Sequence, residues 1–166
     1  MVAFFQTLVI MSILFVSTVY GKISIKERDW KIFRKTGFEY KLYFILKDYM
    51  SFDQAEGYCR NKNAHLVSIH SDEENQFVNQ LLKRGWAKVW IGLGRVGENM
   101  VWTDGSPFDF ANWAWGQPYY RNSYSNNHIY MVIGPEVSGN WYVFTGHSEQ
   151  QMQLFVCKRK AQSHIS

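Results

Sequence analysis

Two short patterns in the first half of the chain predict a strand followed by a helix. Apolar and polar residues alternate over residues 39–46, which is typical of a strand with one buried face. Ser51, with Gln54 three residues later, then forms a capping-box pattern of the kind that opens a helix. That helix carries Ala55 and Cys59 one turn apart, so these two residues share a face.

A second helix is predicted after a short strand over residues 66–69. Ser71 and Glu74 repeat the capping-box pattern, and acidic residues fill the turn behind Ser71. The apolar residues of this helix share one face: Phe77, Val78, Leu81 and Leu82. We expect the helix to end at residues 83–85, because two basic residues followed by glycine are typical of a helix C-terminus.

The second half of the chain changes to short apolar runs separated by turns. These runs predict strands over residues 89–93, 100–103, 129–133, 140–144 and 153–159. Residues 106–127 show no periodic element, and an irregular stretch of that length inside a domain is usually a functional loop. Helices that come first, with antiparallel strands later, predict the α+β class.

The N-terminus has the pattern of a secretory signal peptide. Residues 1–21 contain no charged side chain, residues 8–16 form an apolar core, and Gly21 offers a small residue at the cleavage point. An uncleaved membrane anchor is the alternative interpretation. We expect a secreted, extracellular protein without a membrane span after signal removal. The predicted divisions are a signal peptide over residues 1–21, a lead-in over 22–38, one domain over 39–160 and a tail over 161–166.

Composition and charge narrow the class of partner. Aromatic residues make up 17% of the chain, which indicates a dense core. The formal net charge is +4, but the basic residues are spread along the sequence and no nucleic-acid-binding motif accompanies them. We therefore expect no nucleic-acid partner. The pattern does not determine the oligomeric state.

The chain has two cysteines, Cys59 and Cys157. In an oxidising compartment the only two cysteines of a chain are expected to form a disulfide with each other. Two unpaired thiols are the alternative, which would be expected in the cytosol. A bridge between them would close a loop of nearly the whole domain. In the chain-entropy model such a loop contributes roughly 4–5 kcal/mol.

Eight short motifs run in order along the chain from about residue 40 to residue 160. They are Phe52-x-x-Ala55-x-x-Tyr58-Cys59, Ala64-x-Leu66-Val67-Ser68-Ile69, Glu73-Glu74-Asn75-x-Phe77, Val89-Trp90-Ile91-Gly92-Leu93, Trp102-x-Asp104-Gly105-Ser106, Asn112-Trp113-x-x-Gly116-Gln117-Pro118, Gly139-x-Trp141 and Phe155-Val156-Cys157. Together they resemble the C-type lectin-like domain family, in its short form. The resemblance implies a double-looped α+β fold with two helices, two small antiparallel sheets and a long ligand-binding loop. It also implies that Cys59 and Cys157 are the outer disulfide.

The resemblance locates a calcium site in sugar-binding members, and this chain departs from that pattern. There the ligands come from a proline-centred triplet, a later glutamate, and an Asn-Asp pair after a tryptophan. Here the triplet is Gln117-Pro118-Tyr119, the glutamate position falls near Asn126 and Asn127, and Tyr142 and Val143 follow Trp141. Calcium takes six to eight oxygen ligands, and no carboxylate remains at these positions. We therefore expect no calcium at this site and no other cofactor.

The long loop instead interleaves aromatic and amide side chains. This combination suits stacking on a sugar ring and hydrogen bonding to its hydroxyls. Trp113, and Trp115 with it, is expected to pack beneath the loop, because large aromatic side chains are usually buried. The candidate ligand-binding residues are Gln117, Tyr119, Tyr120, Tyr124, Asn126, Asn127 and Tyr142.

The histidines and serines of the chain form no catalytic motif, such as His-Glu-x-x-His or a nucleophile elbow. We therefore expect a binding module and not an enzyme. Its ligand is an extracellular glycan bound without calcium, or alternatively a protein partner, since Tyr- and Asn-rich loops also form antibody paratopes. The family resemblance favours the glycan, and the lost calcium ligands favour the protein.

Overall fold

The computed structural model describes residues 25–27, 29–119, 127–144 and 152–162, which contain two helices and nine strands. The predicted signal segment, residues 1–21, lies outside the described residues. In chain order the elements are β1 (Ile25–Glu27), β2 (Lys31–Phe33), β3 (Phe38–Ile45), α1 (Phe52–Arg60), β4 (His65–Leu66), α2 (Asp72–Asn79), β5 (Ala87–Val96), β6 (Asn99–Trp102), β7 (His128–Ile133), β8 (Trp141–Val143) and β9 (Leu154–Lys160).

The strands form two antiparallel groups that are joined at one point. In the first group β1, β2 and β9 pair with β3, and β4 pairs with β9. In the second group β6 and β7 pair with β5, and β8 pairs with β7. One parallel pair, Trp90 with Phe155, links β5 to β9 and so connects the two groups. The predicted α+β class is confirmed, and this parallel pair joins the two predicted antiparallel sheets into one nine-stranded sheet among the described residues.

Both helices begin where their capping patterns predict. At α1 the Ser51 hydroxyl accepts from the Gln54 backbone nitrogen at 3.2 Å, and the Gln54 side chain accepts from the Ser51 nitrogen at 2.9 Å. At α2 the Ser71 hydroxyl accepts from the Glu74 nitrogen at 3.2 Å. Among the described residues, no helix is long and apolar enough to cross a membrane.

The predicted end of α2 at residues 83–85 is wrong, because the helix ends at Asn79. The Asn79 amide donates to the carbonyl of Val137 at 2.7 Å, and its oxygen accepts from the nitrogen of Gly134 at 2.8 Å. These bonds hold the helix end against the turn that follows β7. Leu81 and Leu82 still reach the core, but they do so from the irregular turn beyond the helix.

The segment interpreted as a lead-in contributes two strands to the first sheet. β2 and β3 form a hairpin whose turn holds Gly37 at a φ of 73°, a conformation that favours glycine. The Trp30 ring lies 4.0 Å from the guanidinium carbon of Arg159 on β9. Strands of three residues are too short to show alternation, which is why sequence periodicity did not reveal them.

The disulfide joins the first helix to the last strand. Cys59 and Cys157 are bonded, with their Cα atoms 5.5 Å apart at a sequence separation of 98, which confirms the predicted pairing. Both half-cystines are fully buried in a core cluster that also contains Trp90 and Phe155.

A buried ion pair connects α2 to β9. The Lys158 ammonium donates to Glu74 Oε1 at 2.6 Å and to the carbonyl of Ser68 at 2.9 Å, and both charged side chains are buried. The Tyr40 hydroxyl donates to the same carboxylate oxygen, while Glu74 Oε2 accepts from the nitrogen of His70 at 2.8 Å. Burial, together with the hydrogen bond to Glu74, raises the pKa of Tyr40. Buried charges are tolerated when they are paired and hydrogen-bonded in this way.

Candidate functional site

The long loop is tied at its base to strand β8. The nitrogen of Trp141 donates to the carbonyl of Asn112 at 2.8 Å, and the nitrogen of Ala114 donates to the carbonyl of Trp141 at 3.0 Å. The Asn112 side chain also donates to the carbonyls of Ser138 and Gly139, at 3.1 and 3.0 Å. These hydrogen bonds therefore fix the start of the loop, at Asn112 and Ala114, against the start of β8.

The Trp141 side chain fills the space under these hydrogen bonds. It is fully buried, and its indole nitrogen donates to Asn75 Oδ1 on α2 at 2.8 Å. Three rings meet it edge-on, with centroids 5.7 to 5.8 Å away: Trp102, Phe110 and Trp113. The expectation that Trp113 packs beneath the loop is confirmed.

Gln117 holds the next turn of the loop through its side chain. Its Oε1 accepts from the nitrogen of Tyr119 at 3.2 Å and from the nitrogen of Val143 at 3.0 Å. The Gln117 backbone nitrogen donates to the carbonyl of Ala114 at 3.0 Å, and the Gln117–Pro118 peptide bond is cis. The predicted ligand-binding amide thus uses its oxygen to fasten the loop to β8.

Two exposed aromatic side chains flank Gln117 in sequence. Trp115 is fully exposed and Tyr119 is 60% exposed. The expectation that Trp115 packs with Trp113 is wrong. Ala114, between the two tryptophans, is buried and bonded to β8, and the chain turns outward at Trp115. Sequence alone does not separate the two tryptophans, because both belong to the same aromatic run.

Tyr142 and Asn127 lie beside the loop base in different environments. The Tyr142 ring stacks on Tyr130, with centroids 5.3 Å apart and an interplanar angle of 12°, and it is half-buried. Burial, and then the neighbouring Tyr142, raise the pKa of Tyr130. Asn127 is only 5% exposed, and its carbonyl accepts from the nitrogen of Arg95 at 2.8 Å, so it is not on the accessible surface. The predicted residues Tyr120, Tyr124 and Asn126 lie outside the described residues.

Titratable side chains near the loop are hydrogen-bonded to neighbouring side chains. His70 Nδ1 lies 2.7 Å from Asp109 Oδ1, and Asp104 accepts from the hydroxyls of Ser68 and Ser106, each at 2.5 Å. Although burial alone would raise it, the pKa of Asp104 is lowered by those hydrogen bonds and by the nearby Lys158 charge. Within the described ranges, no group of three or more His, Cys, Asp or Glu residues is arranged to hold a metal ion.

The chain matches known proteins along most of its length. The family model described as "Lectin C-type domain" matches residues 48–159. The C-type lectin lectoxin-Lio2 of Erythrolamprus poecilogyrus is 34% identical over 130 residues, which cover 75% of this chain and 77% of the relative. The C-type lectin mannose-binding isoform of Oxyuranus scutellatus is 32% identical over 136 residues, which cover 71% of this chain and 81% of the relative.

A solved structure shows the same fold. The cow C-type carbohydrate-recognition domain of CD23, determined in the presence of GlcNAc2Man3 oligosaccharide, superposes with a TM-score of 0.61 at 28% identity. The superposition covers 80% of this chain and 94% of that domain. With the family model and the relatives, it confirms the resemblance carried by the eight motifs. The chain belongs to the C-type lectin domain family, whose members are binding proteins rather than enzymes.

Proposed function

We propose that this protein is a secreted binding module that recognises an extracellular glycan without calcium at the usual family site. The proposed contact surface, called the loop surface below, consists of Trp115, Tyr119 and the half-buried Tyr142. Gln117 acts as its internal brace, and Asn127 does not belong to it because it is buried.

The observation that carries this proposal is the full exposure of Trp115 on an anchored turn. The backbone of this turn is held to β8 at Ala114 and through Gln117, so the turn is pre-organised. An indole face held in this way can stack on the C–H face of a pyranose ring, and the tyrosine hydroxyls can bond its hydroxyl groups.

The described residues at the family's calcium positions do not fit a calcium ion. The Gln117 oxygen already accepts two backbone hydrogen bonds, and Val143 is buried in the core. Tyr119 and Tyr142 offer phenol groups and no carboxylate. Calcium is normally held by several carboxylate and carbonyl oxygens, so this set lacks the required charge and ligand number.

The relatives support the choice of a glycan. One similar protein is named a mannose-binding isoform, and the similar solved domain is a carbohydrate-recognition domain crystallised with an oligosaccharide. A protein ligand on the same loop surface is the alternative, since exposed Trp and Tyr side chains are also enriched at protein interfaces.

A glycan array measured in calcium and again in chelator tests this proposal. We expect the same glycans to bind in both conditions. We also expect Trp115→Ala to weaken binding about tenfold, which corresponds to roughly 1.4 kcal/mol. Trp86→Ala is the matched control, because Trp86 is 66% exposed but lies outside the loop, just before β5.

Binding that disappears in chelator would contradict calcium independence. A second pattern of results would favour the protein-partner alternative. In that pattern no glycan binds, and an extracellular protein binds to the wild type and to Trp86→Ala but not to Trp115→Ala.

Secretion has a separate test. Protein recovered from culture medium should begin at Lys22, and recovery only in the membrane fraction would indicate the uncleaved anchor instead.

A further inference from the structure

A second concave surface lies between the N-terminal hairpin and the end of helix α2, and it shares no residue with the loop surface. It is a groove of about 490 Å³ between β2, β3 and the turn after α2. A volume of this size lies within the range of small-ligand sites.

The walls of this groove are apolar. Leu42 and Leu81 are buried at its floor, and Phe77 lines it while stacking on Phe33 with ring centroids 4.9 Å apart. Ile32 also lines the groove and is 46% exposed. An apolar ligand body would cover this exposed hydrocarbon and remove it from water.

The rim of the groove is basic on balance. Lys31 of β2 and Lys83 of the turn after α2 come from distant parts of the sequence and line the same groove. Asp29 and Gln80 complete the rim. Its two positive charges and one negative charge leave a net formal charge of one positive unit. Within the described part of the chain, neither lysine forms an ion pair with a carboxylate.

We propose that this groove binds a small amphipathic anion, with its apolar body on Ile32, Leu42 and Phe77 and its anionic group between Lys31 and Lys83. The acid group is a carboxylate, sulfonate or sulfate, because each of these accepts charge-assisted hydrogen bonds from lysine ammonium groups. The concave shape and the small volume favour a small molecule over a peptide.

The test compares two fluorescent probes that have the same aromatic body. 1-Anilinonaphthalene-8-sulfonate carries the anionic group, and N-phenyl-1-naphthylamine lacks it. We expect the sulfonate to bind saturably at one site and at least fivefold more tightly than the neutral probe. We expect Lys31→Gln with Lys83→Gln to weaken the sulfonate at least fivefold and to leave the neutral probe within twofold.

The matched control is Lys47→Gln with Arg60→Gln, which removes the same charge from exposed positions outside the groove. A second variant, Ile32→Gln, removes the exposed apolar wall and should weaken both probes. Decanoate should displace the sulfonate, whereas decanol should do so less well.

Several outcomes would overturn the proposal. The first is an equal loss of sulfonate affinity in the two double variants. The second is a neutral probe that binds as tightly as the sulfonate, and the third is fluorescence that rises without saturation. Displacement of the sulfonate by an acidic peptide but not by decanoate would also overturn it, because the groove would then be a peptide site. Retained sulfonate binding by Trp115→Ala separates this groove from the loop surface.

Discussion

The side-chain oxygen of Gln117 accepts a hydrogen bond from the backbone nitrogen of Val143 at 3.0 Å, across 26 residues of sequence. The same oxygen accepts from Tyr119 at 3.2 Å. This bond places the loop turn against β8, and it uses the only amide oxygen in the Gln117-Pro118-Tyr119 triplet. The geometry therefore gives the Gln117 side chain a structural role, because it holds the loop turn against β8.

Gln117→Ala should destabilise the domain, because the part-buried nitrogen of Val143 loses its acceptor. An unsatisfied buried donor costs about 1–3 kcal/mol. Gln117→Glu is the matched control, since its carboxylate retains an oxygen that can accept both hydrogen bonds. Urea denaturation of the two variants measures the difference. Equal free energies of unfolding for Gln117→Ala and Gln117→Glu would show that the brace does not stabilise the loop.

Calcium at 1 mM should leave the Tm unchanged. A site of about 10 µM affinity would add roughly 2.7 kcal/mol at that concentration, which amounts to several degrees for a domain of this size. Differential scanning fluorimetry with calcium and with chelator measures this. A calcium-dependent gain of several degrees in the unmodified protein contradicts the proposed loss of the site.

Tyr119→Asp with Val143→Asp should begin to restore calcium sensitivity, because it returns carboxylates to two family positions. Val143 is buried, so the double variant will also be less stable without calcium. The informative quantity is the shift that calcium produces within the variant. No shift at millimolar calcium would mean that the two positions do not converge on one ion.

Gly92→Ala should destabilise the domain by about 2–3 kcal/mol, because overpacking forces the backbone to move. A Cβ at this position would lie 2.6 Å from the carbonyl oxygen of Leu66 and 2.8 Å from the hydroxyl of Thr103. Gly94→Ala on the same strand is the control, since its nearest new contact is the His128 ring at 3.6 Å. Similar losses for the two variants, measured by denaturant unfolding, would contradict the close approach at Gly92.

His128 should make stability depend on pH in weakly acidic solution. Burial lowers the pKa of His128 below its ordinary value of 6.5, and the Asp53 charge opposes that effect. The unfolded chain therefore binds the proton more readily, so this contribution is complete above about pH 6.5 and is lost as the pH falls toward the lowered pKa. His128→Phe keeps the ring stack on Phe52, where the centroids are 3.9 Å apart, and removes the titration. Thermal melts from pH 5 to 7.5 should show a flatter profile for the variant, and identical profiles would refute the assignment.

Cys59→Ala with Cys157→Ala should lower the free energy of unfolding by about 2–5 kcal/mol, because the bridge constrains the unfolded chain between α1 and β9. Chemical denaturation of the double variant measures this loss. A non-reduced digest of the wild type should contain the two linked peptides. Free thiols at both positions in protein freshly recovered from culture medium would contradict the pairing.

Much of the frame was predictable because its signals are local. Ser51 and Ser71 begin helices through hydrogen bonds that reach only three residues along the chain, and the apolar run around Trp90 needs only its own composition to predict a buried strand. The identities at the calcium positions, from Gln117 to Val143, can likewise be read directly from the sequence. The sequence by itself therefore determined the family and the fold class, and it contains no carboxylate at the matched positions where the resemblance implies calcium ligands.

Contacts between distant segments decided the remaining features. The hydrogen bond from Ala114 to β8 decides which of Trp113 and Trp115 is buried. The hydrogen bonds from Asn79 to the turn after β7 decide where α2 ends. Lys31 and Lys83 line one groove only because β2 folds back beside the end of α2. Such contacts follow from how the chain packs in three dimensions, and residues that are remote in sequence give no local signal of it.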